Sequence, residues 1–239
     1  RVSEVMAMLN VRNLRVKFHS TGKEVVKGIS FDIMPGERWG LVGESGSGKS
    51  VTAMVITGLI ERGLVQMQGQ VLFGGKDFTK CSRSELRSIH GKDIGMVFQE
   101  PMTSLNPLMR VGRQIEEPLK IHTDMSAEER KARALEAMVQ VGLPEPETTY
   151  NKYPHQLSGG QRQRAIIASA MIARPKLLVC DEPTTALDVT VQKQILELLY
   201  ELSEKNNVAI LLISHDLTVV RRLCENVAVM CKGEIVEQG

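Results

Sequence analysis

Trp39-Gly40-Leu41-Val42-Gly43-Glu44-Ser45-Gly46-Ser47-Gly48-Lys49-Ser50 passes from a short apolar strand pattern directly into a glycine-rich loop. The last eight residues match G-x-x-x-x-G-K-[ST], and Val51 to Ile60 read as a helix beyond them. A triphosphate needs many donors converging on it without side-chain obstruction. Glycines let backbone amides approach, and the helix behind the loop points its positive N-terminus at the phosphates. Lys49 is placed to neutralise the β- and γ-phosphates, and the Ser50 hydroxyl to ligate Mg²⁺. A chance match in a flexible turn is the alternative. The strand before the loop and the helix after it weigh against that reading.

Working outward, Leu9, Val11, Leu14, Val16 and Phe18 give a mostly alternating pattern over Met8–Phe18, that of a half-buried strand. Val25 to Ile33 repeats it and runs into the Pro35-Gly36 turn. Gln70–Phe73 with Gly74-Gly75 predicts a strand and turn on the sheet edge, and Ile94–Phe98 another strand that delivers Gln99 at its end. From about Pro101 to Ala173 strand patterns give way to helical ones. Ser126-Ala127-Glu128-Glu129 is a capping box, with Leu135, Met138 and Val139 as the apolar face behind it and Gly142 and Pro144 as its stop. From Lys176 the α/β alternation returns. Leu177–Cys180 and Val208–Ile213 are all-apolar runs of central parallel strands, joined by a helix striped with Val191, Ile195, Leu198, Leu199 and Leu202. Val227–Met230, Lys232-Gly233 and Glu234–Val236 form a closing hairpin. The expected organisation is one α/β domain: residues 1–100 and 174–239 make the core with a β subdomain, and residues 101–173 an inserted α-helical subdomain.

Length and composition agree with one large globular domain: 239 residues, 42% hydrophobic, 24% charged and 4% aromatic. A net charge of +2 is too mild for a nucleic-acid footprint. The cysteines Cys81, Cys180, Cys224 and Cys231 show no C-x-x-C spacing and read as reduced, mostly core residues of a cytosolic protein. No stretch reaches the roughly 18 apolar residues of a spanning helix, and the N-terminus has no signal-peptide run. A soluble chain is expected. Work at a membrane would require docking onto something already there.

An acidic residue at the tip of a buried strand completes a phosphate-loop site, and Leu177-Leu178-Val179-Cys180-Asp181-Glu182 supplies one. Asp181 is the candidate Mg²⁺ holder and Glu182 the candidate general base for the attacking water. Leu157-Ser158-Gly159-Gly160-Gln161 opens a helix running to Ala173, which makes a second anion site at a helix end. Ser214-His215-Asp216 resembles a hydrolase triad only in composition, since consecutive residues cannot converge their side chains.

In this order the motifs resemble those of the ATP-binding cassette (ABC) ATPases over nearly the whole chain. The resemblance implies a P-loop NTPase (RecA-like) core with an antiparallel β subdomain and an inserted α-helical subdomain, and ATP with Mg²⁺ as ligands. Gly43–Ser50 matches the Walker A motif, Leu177–Asp181 the Walker B motif, Ser158–Gln161 the signature motif and Ala186-Leu187-Asp188 the D-loop. Gln99 matches the Q-loop glutamine, implied as a Mg²⁺ ligand and as a member of the catalytic set with Glu182 and the switch histidine, His215. Phe18 aligns with the aromatic that stacks on adenine, with Phe in place of the more frequent Tyr or Trp. The family architecture implies a head-to-tail dimer in which Ser158, Gly159, Gly160, Gln161 and Asp188 of one subunit complete the nucleotide site of the other.

Gln99–Pro107 and Tyr153-Pro154-His155-Gln156 resemble the oligopeptide, dipeptide and nickel importer subgroup, which often has Asp where this chain has Glu100. That subgroup implies an ATPase at the cytoplasmic face of the inner membrane, partnered by permease subunits and indirectly by a solute-binding protein, with no nucleic acid. The sequence shows no heptad run or metal-ligand cluster of the DNA-repair members and no second cassette of the translation members, which remain the alternative class. A binding-only cassette is a third reading, opposed by the intact Glu182 and His215. Subgroup members usually continue past Val236–Gly239 into a C-terminal tail, so this sequence is expected to be a shortened form, and Arg1–Ala7 precede the first strand pattern.

Overall fold

The computed structural model describes residues 7–98, 104–185 and 187–239. In chain order it forms β1 (Leu9–Phe18), β2 (Glu24–Ile33), β3 (Arg38–Val42), α1 (Lys49–Ile56), β4 (Val65–Phe73), β5 (Lys76–Asp77), α2 (Arg83–Arg87) and β6 (Ile94–Val97). There follow α3 (Val111–Ile115), α4 (Glu117–His122), α5 (Ala127–Gln140), α6 (Pro146–Tyr150), α7 (Gly159–Met171), β7 (Leu177–Asp181) and α8 (Val189–Asn206). The chain ends with β8 (Ala209–Ser214), α9 (Leu217–Leu223), β9 (Asn226–Cys231) and β10 (Glu234–Gln238). Two compact units result: the chain up to Arg87 with Asn207–Gly239, and Ser88–Asn206.

The first unit holds an antiparallel sheet in the order β2-β1-β4-β5. The alternation of β1 skips a beat between Val11 and Leu14, and there the register with both neighbours shifts. This is a β-bulge, with Asn13 at φ 45. Opposite it, a Cβ on Gly69 would lie 2.3 Å from the Asn13 carbonyl oxygen, so only glycine admits the bulge. The expected edge strand at Gln70–Phe73 begins five residues earlier, at Val65, and it is not the edge: β5 lies outside it. Gln66, Gln68 and Gln70 break any apolar reading, because that face of β4 is exposed.

In the same unit β3 pairs in parallel with β8 on one side and with β9 on the other, and β10 closes antiparallel onto β9. Every residue of β3 and β8 is buried, as their unbroken apolar runs anticipate. The Arg38 guanidinium, 7% exposed, is held by the Leu223 carbonyl at 3.0 Å and by the Glu225 carboxylate, so the buried charge is compensated. Phe31 and Trp39 stack with centroids 4.4 Å apart. The hairpin turn uses Lys232 at φ 48 and Gly233 at φ 93, both left-handed. Helix α1 stops at Ile56, short of the expected Ile60, because Gly58 turns left-handed at φ 68 and Leu59 and Ile60 both donate to the Met54 carbonyl.

In the second unit β6 and β7 pair in parallel, Ile94 opposite Leu177 and Val97 opposite Cys180. The rest is helical among the described residues. The capping box of α5 forms as expected: the Ser126 hydroxyl accepts from Glu129 N at 3.2 Å, and Glu129 Oε2 accepts from Ser126 N at 2.7 Å. Its buried face, however, is Ala134, Ala137 and Met138, and Val139 is 64% exposed. Gly112 lies under the Tyr150 ring, where a Cβ would come within 1.9 Å. Tyr150 Oη donates to Glu116 at 3.1 Å, and Arg113 bridges the same carboxylate at 2.7 Å. Cys81 and Cys180 are buried, burial pushes the half-buried Cys224 thiol up to about 12, and Cys231 is exposed. No helix among the described residues is long and apolar enough to cross a membrane.

Candidate functional site

The phosphate loop is built by close approach. β3 is buried along its whole length and stops at Val42, and a Cβ on Gly43 would come within 2.1 Å of the Met230 carbonyl oxygen. Gly48, at φ 105, passes the Val25 carbonyl so closely that a Cβ would sit 2.5 Å from it. Gly46, at φ 78, has nothing near its Cβ position and marks the open mouth of the loop. Helix α1 starts at Lys49, so its first-turn amides point back into the loop without intrahelical acceptors. Lys49 is 4% exposed, and its ammonium donates to the carbonyls of Gly43 at 2.7 Å and Glu44 at 2.9 Å. A buried cation, first-turn amides and an open rim make a receptor for a polyanion. Ser50 is exposed at the helix start, and half-buried Phe18 closes the end of β1 in this same unit. His215 follows the last residue of β8 and is exposed. Its neighbours are committed elsewhere: Ser214 Oγ accepts from Asp216 N at 3.0 Å, and Asp216 caps α9 through Thr218 N at 2.7 Å. The triad reading therefore fails on geometry.

In the second unit Asp181 ends β7 and is 8% exposed, while Glu182 is half-buried. Glu182 has φ 49, a left-handed backbone that costs a non-glycine residue about 1–2 kcal/mol. Thr185 Oγ1 donates to Glu182 Oε2 at 2.9 Å, a contact that no spacing rule in the sequence flagged. Thr184, also unflagged, accepts from Gln192 Nε2 at 3.2 Å. Asp188 caps α8, its carboxylate accepting from Val191 N at 3.0 Å. Ser158 caps α7 in a reciprocal box: its hydroxyl accepts from Gln161 N at 3.2 Å, and Gln161 Oε1 accepts from Ser158 N at 3.1 Å. Two more amides of the α7 N-terminus are carried by the half-buried Gly159 and Gly160. Gln99 and Ala186 lie outside the described residues.

The family model described as ABC transporter matches residues 26–185. The chain belongs to this family. Among its ABC relatives, the peptidoglycan transport ATP-binding protein YejF of Agrobacterium fabrum is 53% identical over 235 residues, covering 97% of this chain and 43% of the relative. The oligopeptide transport ATP-binding protein OppD of Bacillus subtilis is 50% identical over 239 residues, covering 98% of this chain and 66% of the relative. The dipeptide transport ATP-binding protein DppD of Escherichia coli is 48% identical over 236 residues, covering 98% of this chain and 72% of the relative. The chain thus spans less than two thirds of the first two. A dimeric post-hydrolysis state of the ATP-binding cassette MJ0796, bound to ADP and Pi, superposes with a TM-score of 0.86 at 32% identity, covering 97% of this chain and 98% of that one. The P-loop NTPase cassette fold expected from the motifs is therefore the fold of this ABC chain.

Proposed function

We propose that this chain is the ATP-hydrolysing subunit of an ABC importer that takes up peptides through separate permease subunits. The observation that carries the reading is the near-half identity, over nearly all of this chain, to ATP-binding proteins of oligopeptide and dipeptide transport. The P-loop with its buried Lys49 and the strand-end pair Asp181-Glu182 support turnover rather than binding alone. The nickel class named by the subgroup resemblance is the second substrate reading. DNA repair and translation find no support among these relatives.

In this mechanism the loop amides and Lys49 hold the β- and γ-phosphates, and Phe18 offers its ring face to adenine. Glu182 accepts a proton from water as the water oxygen bonds the γ-phosphorus, and the bond from that phosphorus to the β,γ-bridging oxygen breaks to release ADP and phosphate. His215 contacts the γ-phosphate and reports its presence. Among the described residues no group of three or more His, Cys, Asp or Glu side chains is placed to hold a metal ion. A serine hydroxyl at a helix start and one buried carboxylate suit Mg²⁺, which retains waters and phosphate oxygens as ligands. Ser50 and Asp181, with Gln99, would hold it, where it neutralises phosphate charge.

The α7 N-terminus is a positive helix end at which the Ser158–Gln161 box satisfies two amides and Gly159 and Gly160 carry the next two. In the proposed head-to-tail dimer these amides close over the γ-phosphate of the partner's ATP, and loss of that phosphate reopens the pair. Peripheral placement at the inner membrane follows from docking onto the permeases.

Glu182→Gln tests the motor. It should bind ATP with unchanged affinity, hydrolyse it very slowly, and run as an ATP-dependent dimer on size-exclusion chromatography. Turnover near wild type would remove Glu182 from the base role. Co-purification with the permeases encoded beside its gene, with peptide-stimulated hydrolysis in liposomes, tests the importer role. Stimulation by nickel alone would reassign the substrate.

A further inference from the structure

The carboxylate proposed as the base accepts a hydrogen bond from a side chain that the motifs quoted above leave unassigned. After β7 the backbone enters a left-handed residue at Glu182 and then folds into successive turns. Thr185 N donates to the Glu182 carbonyl at 3.2 Å, and Leu187 N to the Thr184 carbonyl at 3.2 Å. Thr184 is 7% exposed, and its bond from Gln192 Nε2 ties the turn to α8. With the turn anchored, the hydroxyl three residues beyond Glu182 comes round to the same side as its carboxylate. Thr185 Oγ1 donates to Glu182 Oε2 at 2.9 Å, a charge-assisted contact of normal length.

A glutamate has three side-chain torsions, and its two oxygens are equivalent until something distinguishes them. The fixed φ of 49 sets the direction of the Glu182 Cβ, and the Thr185 hydroxyl takes up one oxygen. Both of these constraints on the carboxylate are set within one turn. A general base is most effective when held within about 0.5 Å of the productive geometry.

We infer that Thr185 is a positioning residue that fixes the carboxylate of Glu182 so that its second oxygen faces the attacking water. The inference rests on the reading of Glu182 as the base. If the contact merely closed the turn, removing the hydroxyl would lower stability and leave the rate per folded molecule alone.

The test compares kcat, KM for ATP and the urea unfolding midpoint of the wild type, Thr185→Val, Thr185→Ala, Thr185→Ser, Glu182→Gln and the double variant Glu182→Gln/Thr185→Val. Thr185→Val and Thr185→Ala are expected to lower kcat about tenfold, ~1.4 kcal/mol in activation free energy, with KM nearly unchanged. Thr185→Ser keeps the donor and should recover most of the rate. In the Glu182→Gln background, Thr185→Val should change nothing further, because the two residues act as one unit. A wild-type kcat in both Thr185→Val and Thr185→Ala, alongside an inactive Glu182→Gln, overturns the role of Thr185 and leaves that of Glu182 standing. So does a Thr185→Ser variant as slow as Thr185→Val. Near-wild-type turnover by Glu182→Gln removes the base itself, and this inference with it. Should Thr185→Val unfold, the Ala and Ser pair carries the same comparison.

Discussion

Gly48 and Gly46 share a loop and a left-handed backbone yet do different work. Both have positive φ, 105 and 78, so alanine at either one meets a backbone penalty of at least about 1–2 kcal/mol. Only at Gly48 does the added Cβ also meet the Val25 carbonyl at 2.5 Å and the Met230 side chain at 2.8 Å. Gly48→Ala should therefore displace the loop and weaken ATP binding more than tenfold, read by titration with a fluorescent nucleotide. Gly46→Ala should lower the urea midpoint modestly and keep most of the affinity. Equal losses of affinity would mean that packing against β2 and β9 does not shape the loop. The sequence made the identity of these residues legible because eight positions of a contiguous motif carry their own chemistry. It did not disclose Thr185 or the left-handed Glu182, because a hydrogen bond across a turn depends on torsions that no residue type in Pro183–Thr185 announces.

Elements rather than residues decide how the ends of helices respond to pH. Ser82 and Glu85 at the start of α2 form the same kind of box as Ser126 and Glu129: Ser82 N donates to Glu85 Oε2 at 2.7 Å, and Lys76 lies 3.0 Å from the other oxygen. The Ser82 amide first, then the Lys76 and Ser82 side chains, hold the Glu85 carboxyl down at about 2 from an ordinary 4.5. A depressed folded-state pKa means that its contribution to stability is complete above about 4.5 and disappears as the pH falls toward 2. The urea midpoint of the wild type should thus fall over that window more than that of Glu85→Gln, and identical slopes would show that the box forms only transiently. Of the two boxes, the one before α5 was legible because a long helical periodicity follows it, whereas α2 is five residues long. The face of α5 was misread for a related reason. Its buried positions are mostly alanine, so Met138 alone of the three expected positions is buried, and Leu135 and Val139 lie on a flank with more apolar bulk but less burial. The all-buried strands β3, β7 and β8 were read correctly, since unbroken apolar runs have no competing face.

At the scale of the molecule, the proposed head-to-tail pair gives each of the two helix-end anion sites a role. The P-loop has its cation buried behind it, while at the α7 N-terminus Ser158 Oγ and Gln161 Oε1 accept the capping bonds and the helix end carries its positive pole without a basic side chain. If each ATP lies between the P-loop of one subunit and the Ser158 loop of its partner, two different lesions can be separated into one bad site and one good one. Lys49→Ala removes the cation, and Ser158→Arg obstructs the signature loop while leaving nucleotide binding to the monomer largely intact. Each variant alone should form only defective composite sites and lose nearly all turnover. In a heterodimer of the two, one composite site carries both lesions and the other carries neither. Mixing the purified variants should therefore restore ATP hydrolysis above the sum of the separate rates, most strongly at equimolar ratio, and the gain should rise with protein concentration as association does. No gain at any ratio would count against a shared site. Full loss of ATP binding by Ser158→Arg in the monomer would place that loop in its own subunit's nucleotide site.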